Sequence, residues 1–305
     1  MHLLGVRAVH AAIEVGEVDA LRLLLQAGAD PNSLNLQGAT PLMLRSARDV
    51  PAATRLEMMD ALLSAGADPL LGNKNQGGWK AIHYAALRGE TLLVSKIYSS
   101  APTTLNAVDK DGRSPLVLAS YHGHKGTVSF LLSVGASDAE RVKMQGYSAL
   151  LVAVGQDRED VVRVLLDEGL EAAGGLIAIP NAMAYSVERD NVCILQILLN
   201  IGGEDMQEIW AGTWVQPVDH DGDFPAGPVL HVAARFCSYR AAHVLLSAGA
   251  DELAANALSK RASDIIGVSV VGDISRRSTK KAAFGRVLKH GPAFRARSWL
   301  WPTQA

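Results

Sequence analysis

Leu24-Leu25-Gln26-Ala27-Gly28-Ala29-Asp30 returns as Leu62-Leu63-Ser64-Ala65-Gly66-Ala67-Asp68 and again as Leu245-Leu246-Ser247-Ala248-Gly249-Ala250-Asp251. Looser copies are Leu131-Leu132-Ser133-Val134-Gly135-Ala136, Leu165-Leu166-Asp167-Glu168-Gly169 and Leu198-Leu199-Asn200-Ile201-Gly202. A second signature precedes these copies: Thr40-Pro41-Leu42-Met43, Ser114-Pro115-Leu116-Val117, Ala81-Ile82-His83-Tyr84-Ala85-Ala86 and Val229-Leu230-His231-Val232-Ala233-Ala234. Its register residue falls at His10, Met43, His83, Val117, Leu151, Ala184, His231 and Asp264, at spacings of 33, 40, 34, 34, 33, 47 and 33. Self-similarity at a fixed period near 33 means stacked units, each touching its neighbours, rather than one core.

The pattern has a local physical reading. Thr40 and Ser114 can cap a first helix with their hydroxyls, and Pro41 and Pro115 take its first position, where no amide bond is lost. Ala85-Ala86 and Ala233-Ala234 let paired helices approach closely. The Leu-Leu pairs form the apolar stripe of a second helix. Gly28, Gly66, Gly135, Gly169 and Gly249 end that helix, where a positive φ is needed. Gly16, Gly89 and Gly123 turn the chain between the two helices. Asp49, Asp157 and Asp190 replace them, since Asp tolerates left-handed backbone, and Cys237 is the odd occupant.

Start signature, period and Leu-Leu-x-x-Gly-Ala ending together resemble the ankyrin repeat. The resemblance covers about 5–291. It implies an all-α solenoid of stacked helix-turn-helix units with short β-hairpin fingers. Eight units are expected, near 5–37, 38–77, 78–111, 112–145, 146–178, 179–218, 219–258 and 259–291, with a basic, aromatic tail at 292–305. The 40-residue spacing is read as five extra residues between the helices at Asp49 to Arg55 and two after Gly66. The 47-residue spacing is read as a long loop at about 203–217 plus four residues near Ala226 to Val229. In the sixth unit Pro180-Asn181-Ala182-Met183-Ala184 replaces the start signature, so a helical pair without the usual caps is expected there.

Composition narrows the function. The 305 residues carry 29 Lys and Arg against 31 Asp and Glu, a net charge of −2, so the whole chain is not a strongly basic nucleic-acid binder. Cys193 and Cys237 cannot make a disulfide framework or a four-cysteine zinc site. No run of 18 apolar residues occurs, so no transmembrane segment is expected. Residues 1–15 include Arg7, His10 and Glu14 and offer no apolar leader core, and no Asn-x-Ser/Thr sequon occurs. A cytoplasmic or nuclear location is expected.

Catalytic signatures are missing: no Gly-x-Ser-x-Gly, His-Glu-x-x-His, phosphate-binding Gly-Lys-Ser/Thr or Cys-x-x-Cys is present. Asp219-His220-Asp221-Gly222-Asp223 looks like the front of a calcium loop, but the closing glutamate is lacking and the segment aligns with an ordinary finger. His122 and His124 flank a turn, and both cysteines read as small packing residues. No metal, cofactor or small-molecule substrate is expected, and the chain is read as a non-enzyme. His10, His83 and His231 share one slot a repeat or more apart, so they cannot share an ion. The resemblance implies that each makes a structural bond to its helix start and to the neighbouring repeat.

The resemblance also implies where a partner binds: at the fingertips and the exposed end of the first helix. Those slots in the third to fifth units select Trp79, Arg88, Lys110, Arg113, Tyr121, His122 and Tyr147. Aromatics and arginines concentrate interface energy, and Arg88 and Arg113 can pair with carboxylates, so an acidic or amphipathic protein segment is the expected partner. The function read from the sequence is a monomeric, non-catalytic scaffold or adaptor. The alternative is a substrate-receptor subunit of a ubiquitin-ligase-type complex. Its docking arm would be the C-terminal stretch, where 270–305 holds eight basic residues against Asp273 and ends near Trp299 and Trp301. That stretch also reads as a capping repeat with a solvated tail, or as a segment for an acidic partner, a membrane surface or nucleic acid.

The longest connection follows the unit with the poorest capping. Limited proteolysis is therefore expected to cut first at about 203–228, leaving a folded N-terminal fragment of the first five or six units. A first cut inside the third to fifth units would overturn this reading.

Overall fold

The computed structural model describes residues 2–44, 50–138, 148–172, 178–201, 214–215 and 227–265. It divides into two compact units, 1–174 and 175–305. The first holds α1 (His2–Val15), α2 (Val18–Gln26), a 3-10 turn (Pro41–Met43), α3 (Ala52–Ser64), α4 (Ala81–Arg88), α5 (Thr91–Ser100), α6 (Pro115–His122), α7 (Lys125–Ser133), α8 (Ala149–Gly155) and α9 (Glu159–Asp167). The second holds α10 (Ala178–Glu188), α11 (Val192–Leu199), α12 (Val229–Phe236), α13 (Tyr239–Ser247) and a 3-10 turn (Ala262–Ile265). Its two-residue strands β1 (Trp214–Val215) and β2 (Gly227–Pro228) pair antiparallel. The architecture is all-α, built from antiparallel helix pairs.

Each unit has two helical layers. In the first, α4, α6 and α8 lie side by side as first helices, and α2, α3, α5, α7 and α9 form the row of second helices. In the second, α12 packs on α10 and α13 on α11. The alanines make the close approach possible: Ala86, Ala119, Ala153, Ala233 and Ala234 are wholly buried. Val94, Leu131, Leu165, Leu195 and Leu245 fill the space between the layers. Fingers are closed by Asn or Asp: Asn35, Asn73, Asp109 and Asn256 each turn a side-chain oxygen back onto amides two to four residues on. These Asx turns were not read from the sequence, although Asn35, Asp109 and Asn256 all stand eight residues before their register residue.

The shared histidine slot ties each pair to the next finger. His10, His83 and His231 donate from Nε2 to the carbonyls of Ala39, Ala107 and Lys260, at 3.2, 3.1 and 2.9 Å. His83 also accepts at Nδ1 from the Lys80 amide, 3.0 Å away, which fixes a neutral ring. Pro228 stands in the place of Lys80 in the later copy and has no N–H, so the buried Nδ1 of His231 has no partner among the described residues.

Local signals hold where they are local. Ser114 caps α6 by accepting from the Val117 amide at 3.1 Å, with Pro115 at the first position. Asp157, Asp190 and Cys237 adopt φ of 55°, 55° and 53°, the left-handed turn that Gly89 and Gly123 take elsewhere. Asp49 lies outside the described residues, as do most of the 203–217 loop and everything from 266, including the second half of the last expected unit and the 292–305 tail.

Several expectations are corrected. The Thr40 hydroxyl is buried and makes no cap bond, and the helix it would start is a single 3-10 turn before residue 44. The extra residues placed at 49–55 mostly lengthen a helix. α3 has 13 residues where α2, α7 and α9 have 9, because Pro51 starts it and Ala52 and Ala53 favour the added turn. Gly169 does not take a positive φ; a β-carbon there would lie 2.5 Å from Leu132 Cδ2, so the glycine makes room rather than a turn. Cys193 is exposed on α11, not packed, whereas Cys237 is buried. The sixth pair keeps one cap: Asn191 accepts from the Ile194 amide at 3.0 Å.

Burial lowers the His83 pKa from 6.5 to about 4, against the opposing pull of Asp109 and the Ala107 carbonyl. A folded pKa below the unfolded one means stability complete above pH 6.5 and lost as pH falls from there toward about 4. An imidazole titration by NMR should find His83 still neutral at about pH 5.5; a midpoint near 6.5 would contradict the buried, accepting ring.

Candidate functional site

The expected site residues fall into two clusters within the first unit. The first joins two fingers. Trp79 donates from its indole to Asp109 Oδ2 at 2.8 Å, and Arg113 donates from Nε to the same oxygen at 2.7 Å. The Arg113 guanidinium also pairs with Asp111 at 2.6 Å and lies 5.3 Å from the Trp79 ring centroid. Tyr84 meets Trp79 edge-on at 5.2 Å and donates to Gln76 Oε1. Burial raises the Asp109 pKa, but the Arg113 amide and guanidinium and the Trp79 indole outweigh it, leaving the carboxyl below its ordinary value. Burial raises the Tyr84 hydroxyl's pKa, opposed by Asn73 and Arg88. The Lys110 amide donates to the Gly77 carbonyl at 2.9 Å, while its side chain is exposed.

The second cluster stands at the C-terminal ends of α4 and α6. Arg88 donates to the Leu44 and Met43 carbonyls at 3.0 and 3.2 Å, closing the polar end of the short 3-10 turn, and lies over Tyr84. His124 donates to the Leu87 carbonyl at 2.8 Å, and Arg158 Nε donates to the Tyr121 carbonyl at 3.2 Å. These are one device used twice, because His124 and Arg158 both stand seven residues after their register residue. Tyr121 is 42% exposed and meets His122 edge-on at 5.1 Å; His122 stacks on His124 at 6.0 Å. Burial, then His124 and Arg158, lower the His122 pKa. A groove of about 730 Å³ runs beside them, lined by Arg55, Leu56, Arg88, Leu92, His122 and His124 among others.

The structure brings Trp79 and Arg113 together and separately joins Tyr121 to His122. Tyr147 lies outside the described residues. Sequence reasoning treated Arg88, Arg113 and Trp79 as presented to a partner; all three already bond to neighbouring segments, and the half-buried Trp79 packs between fingers. Lys110, Tyr121 and His122 remain exposed. Missed were Tyr84, Asp109, His124 and Arg158, of which the last two could have been found from their common offset. Among the described residues no group of three His, Cys, Asp or Glu side chains could hold a metal ion, and no helix is long and apolar enough to cross a membrane. The Asp219–Asp223 stretch lies outside them.

The family model for ankyrin repeats matches in three overlapping copies, at 9–101, 45–138 and 82–173, together more than half of the chain. Mouse ankyrin repeat and SAM domain-containing protein 6 is 33% identical over 92 residues, covering 30% of this chain and 10% of that protein. The mouse B-cell lymphoma 3 protein homolog is 31% identical over 165 residues, covering 54% and 36%. The mouse cyclin-dependent kinase 4 inhibitor B is 33% identical over 118 residues, covering 38% of this chain and 83% of that protein. The chain thus spans well under half the length of the first two relatives.

Arg113 is spent on a carboxylate with no exposed surface of its own. Arg113→Ala should therefore cost about 1–3 kcal/mol in urea unfolding before any partner is present, because it strips a buried acceptor of its charged donor. A loss under about 0.5 kcal/mol, typical of a surface change, would return Arg113 to the list of free contacts.

Proposed function

The chain belongs to the ankyrin repeat family, whose repeats are protein–protein interaction modules, and from that premise we propose that it is a non-catalytic scaffold or adaptor. It binds a protein partner through the fingertips and first-helix ends of its third to fifth repeats. The observation that carries this reading is Tyr121, a large aromatic side chain 42% exposed at the end of α6, beside an exposed histidine and a groove of about 730 Å³. Leaving so much ring in water is unfavourable unless something covers it in use. Lys110 adds an exposed cation on the adjoining finger.

The relative matched over 83% of its length supports the reading. It is named as an inhibitor of a cyclin-dependent kinase, an effect exerted on another protein. The ubiquitin-ligase alternative draws on the basic stretch from 270 on, which lies outside the described residues; nothing in the described stacks favours it over a plain adaptor.

Affinity purification from the native cell, followed by titration of the captured protein, tests the face. Tyr121→Ala and Lys110→Ala should each weaken binding about 5- to 30-fold. Arg163→Ala should change it by less than about twofold, since Arg163 sits on α9 in an exposed pair with Glu159. Equal losses at Tyr121 and Arg163 would show that the face is misassigned.

A further inference from the structure

We infer that His122 makes the binding face pH-sensitive: an acidic peptide segment lying in the groove beside α4 and α6 brings a carboxylate to His122 and to Arg158 at the groove's edge, and is held more tightly as the solution is acidified. The inference rests on the proposed reading of this face as the binding surface.

Charges of both signs lie around this face: Arg158 is flanked in sequence by Asp157, Glu159 and Asp160, and Glu159 pairs with Arg163 at 2.8 Å. Arg88 stands at the end of α4, His124 and Lys125 at the start of α7, and Arg158 at the start of α9. Glu90 lines the groove too, but Arg55 pairs with it at 3.7 Å. His124 has committed its Nε2 to the Leu87 carbonyl. Arg158 has committed only Nε; among the described residues its two terminal nitrogens carry no hydrogen bond or ion pair, and its stem runs against Gly123, where a β-carbon would lie 2.9 Å from Arg158 Cδ. His122 is exposed, is held edge-on by Tyr121, and makes no hydrogen bond with either ring nitrogen among the described residues. The face therefore offers donors on His122 and on Arg158 that no described residue accepts.

This arrangement sets the sign of the pH effect. In the free protein, burial, then His124 and Arg158, hold the His122 pKa below its ordinary 6.5, so the ring is neutral near pH 7. A carboxylate arriving beside the ring reverses the electrostatic part of that balance and stabilises the imidazolium, so binding takes up a proton. Glutamate side chains of a peptide stay ionised well below the range in which the histidine titrates, so acidification charges the receptor without discharging the ligand. The apolar walls at Leu56 and Leu92 would cover the methylene stems of such residues.

The test is fluorescence anisotropy of a labelled hexaglutamate peptide on the full chain at about pH 5.5 and 7.5, at fixed ionic strength. Wild type should bind roughly three- to tenfold more tightly at the lower pH. His122→Gln should bind with little pH dependence, and Arg158→Gln should bind more weakly at both values with the dependence retained. In parallel, the His122 imidazole resonance should titrate at higher pH with the peptide than without it, a measurement that needs no variant. A wild-type affinity indifferent to pH, a pH dependence that survives His122→Gln, or an unmoved His122 titration would overturn the inference. If in those cases Tyr121→Ala still weakens the native partner, the binding face stands and the proton-linked contact alone is lost.

Discussion

A helix pair ends in carbonyls and amides that its own turns cannot satisfy, and in these stacks the adjoining segment supplies the missing partner. The buried imidazoles of His10, His83 and His231 donate into the finger that follows them. At the other end of the first helices, His124 and Arg158 reach back to the carbonyls of Leu87 and Tyr121, and Arg88 reaches back to Met43 and Leu44. In the second unit Ser238 donates to Asp190 of the preceding turn. Apolar burial between the helical layers drives stacking, but burial has no direction. The side-chain donors fix the register at which each pair meets the next, because a shifted pair would leave carbonyls buried and unmet.

That constraint explains which parts of the fold were legible. Features whose cause lies within a few residues could be read: the Ser114 cap, Pro115 at the first helical position, and the left-handed turns at Asp157, Asp190 and even Cys237. Features whose cause lies a repeat away could not. Gly169 is small because Leu132 occupies the space beside it, not because its backbone turns. Thr40 carries the cap-forming residue type, yet its hydroxyl is buried beside a 3-10 turn without a partner among the described residues. The insertion before α3 became helix because Pro51 and two alanines made the extra turn inexpensive. The Asx residues at the finger heads lie between these cases: their offset of eight was visible, but the backbone amides they bind are apparent only in three dimensions.

The candidate site follows the same division. Slot positions alone selected Trp79, Arg88 and Arg113 as presented to a partner, since aromatic and arginine side chains are rich in binding energy. In the folded chain these side chains serve the neighbour. Trp79 and Arg113 share one oxygen of Asp109 across two fingers, and that carboxylate, buried and charged, could not be tolerated without them. A slot in a repeat protein therefore has two competing uses, and residue type does not decide between them. What decides is whether a carbonyl or carboxylate of the adjoining repeat lies within reach.

Surplus donors then become informative. Where a repeat supplies more donors than its neighbour has acceptors, the excess points outward, and its chemistry describes what is missing. Lys110 has given its backbone amide to Gly77 but not its ammonium group, and Arg158 has given one guanidinium nitrogen and kept two. Glu159 and Arg163, on the outer helix, instead pair with each other one turn apart, charge against charge. Near the ends of α4 and α6, His122 and Arg158 keep donors that no described residue accepts. Tyr121 stands between those donors with nearly half its surface in water. An acceptor-rich, partly apolar segment meets both needs at once, whereas a purely apolar one meets only the second and a purely cationic one leaves the donors unmet.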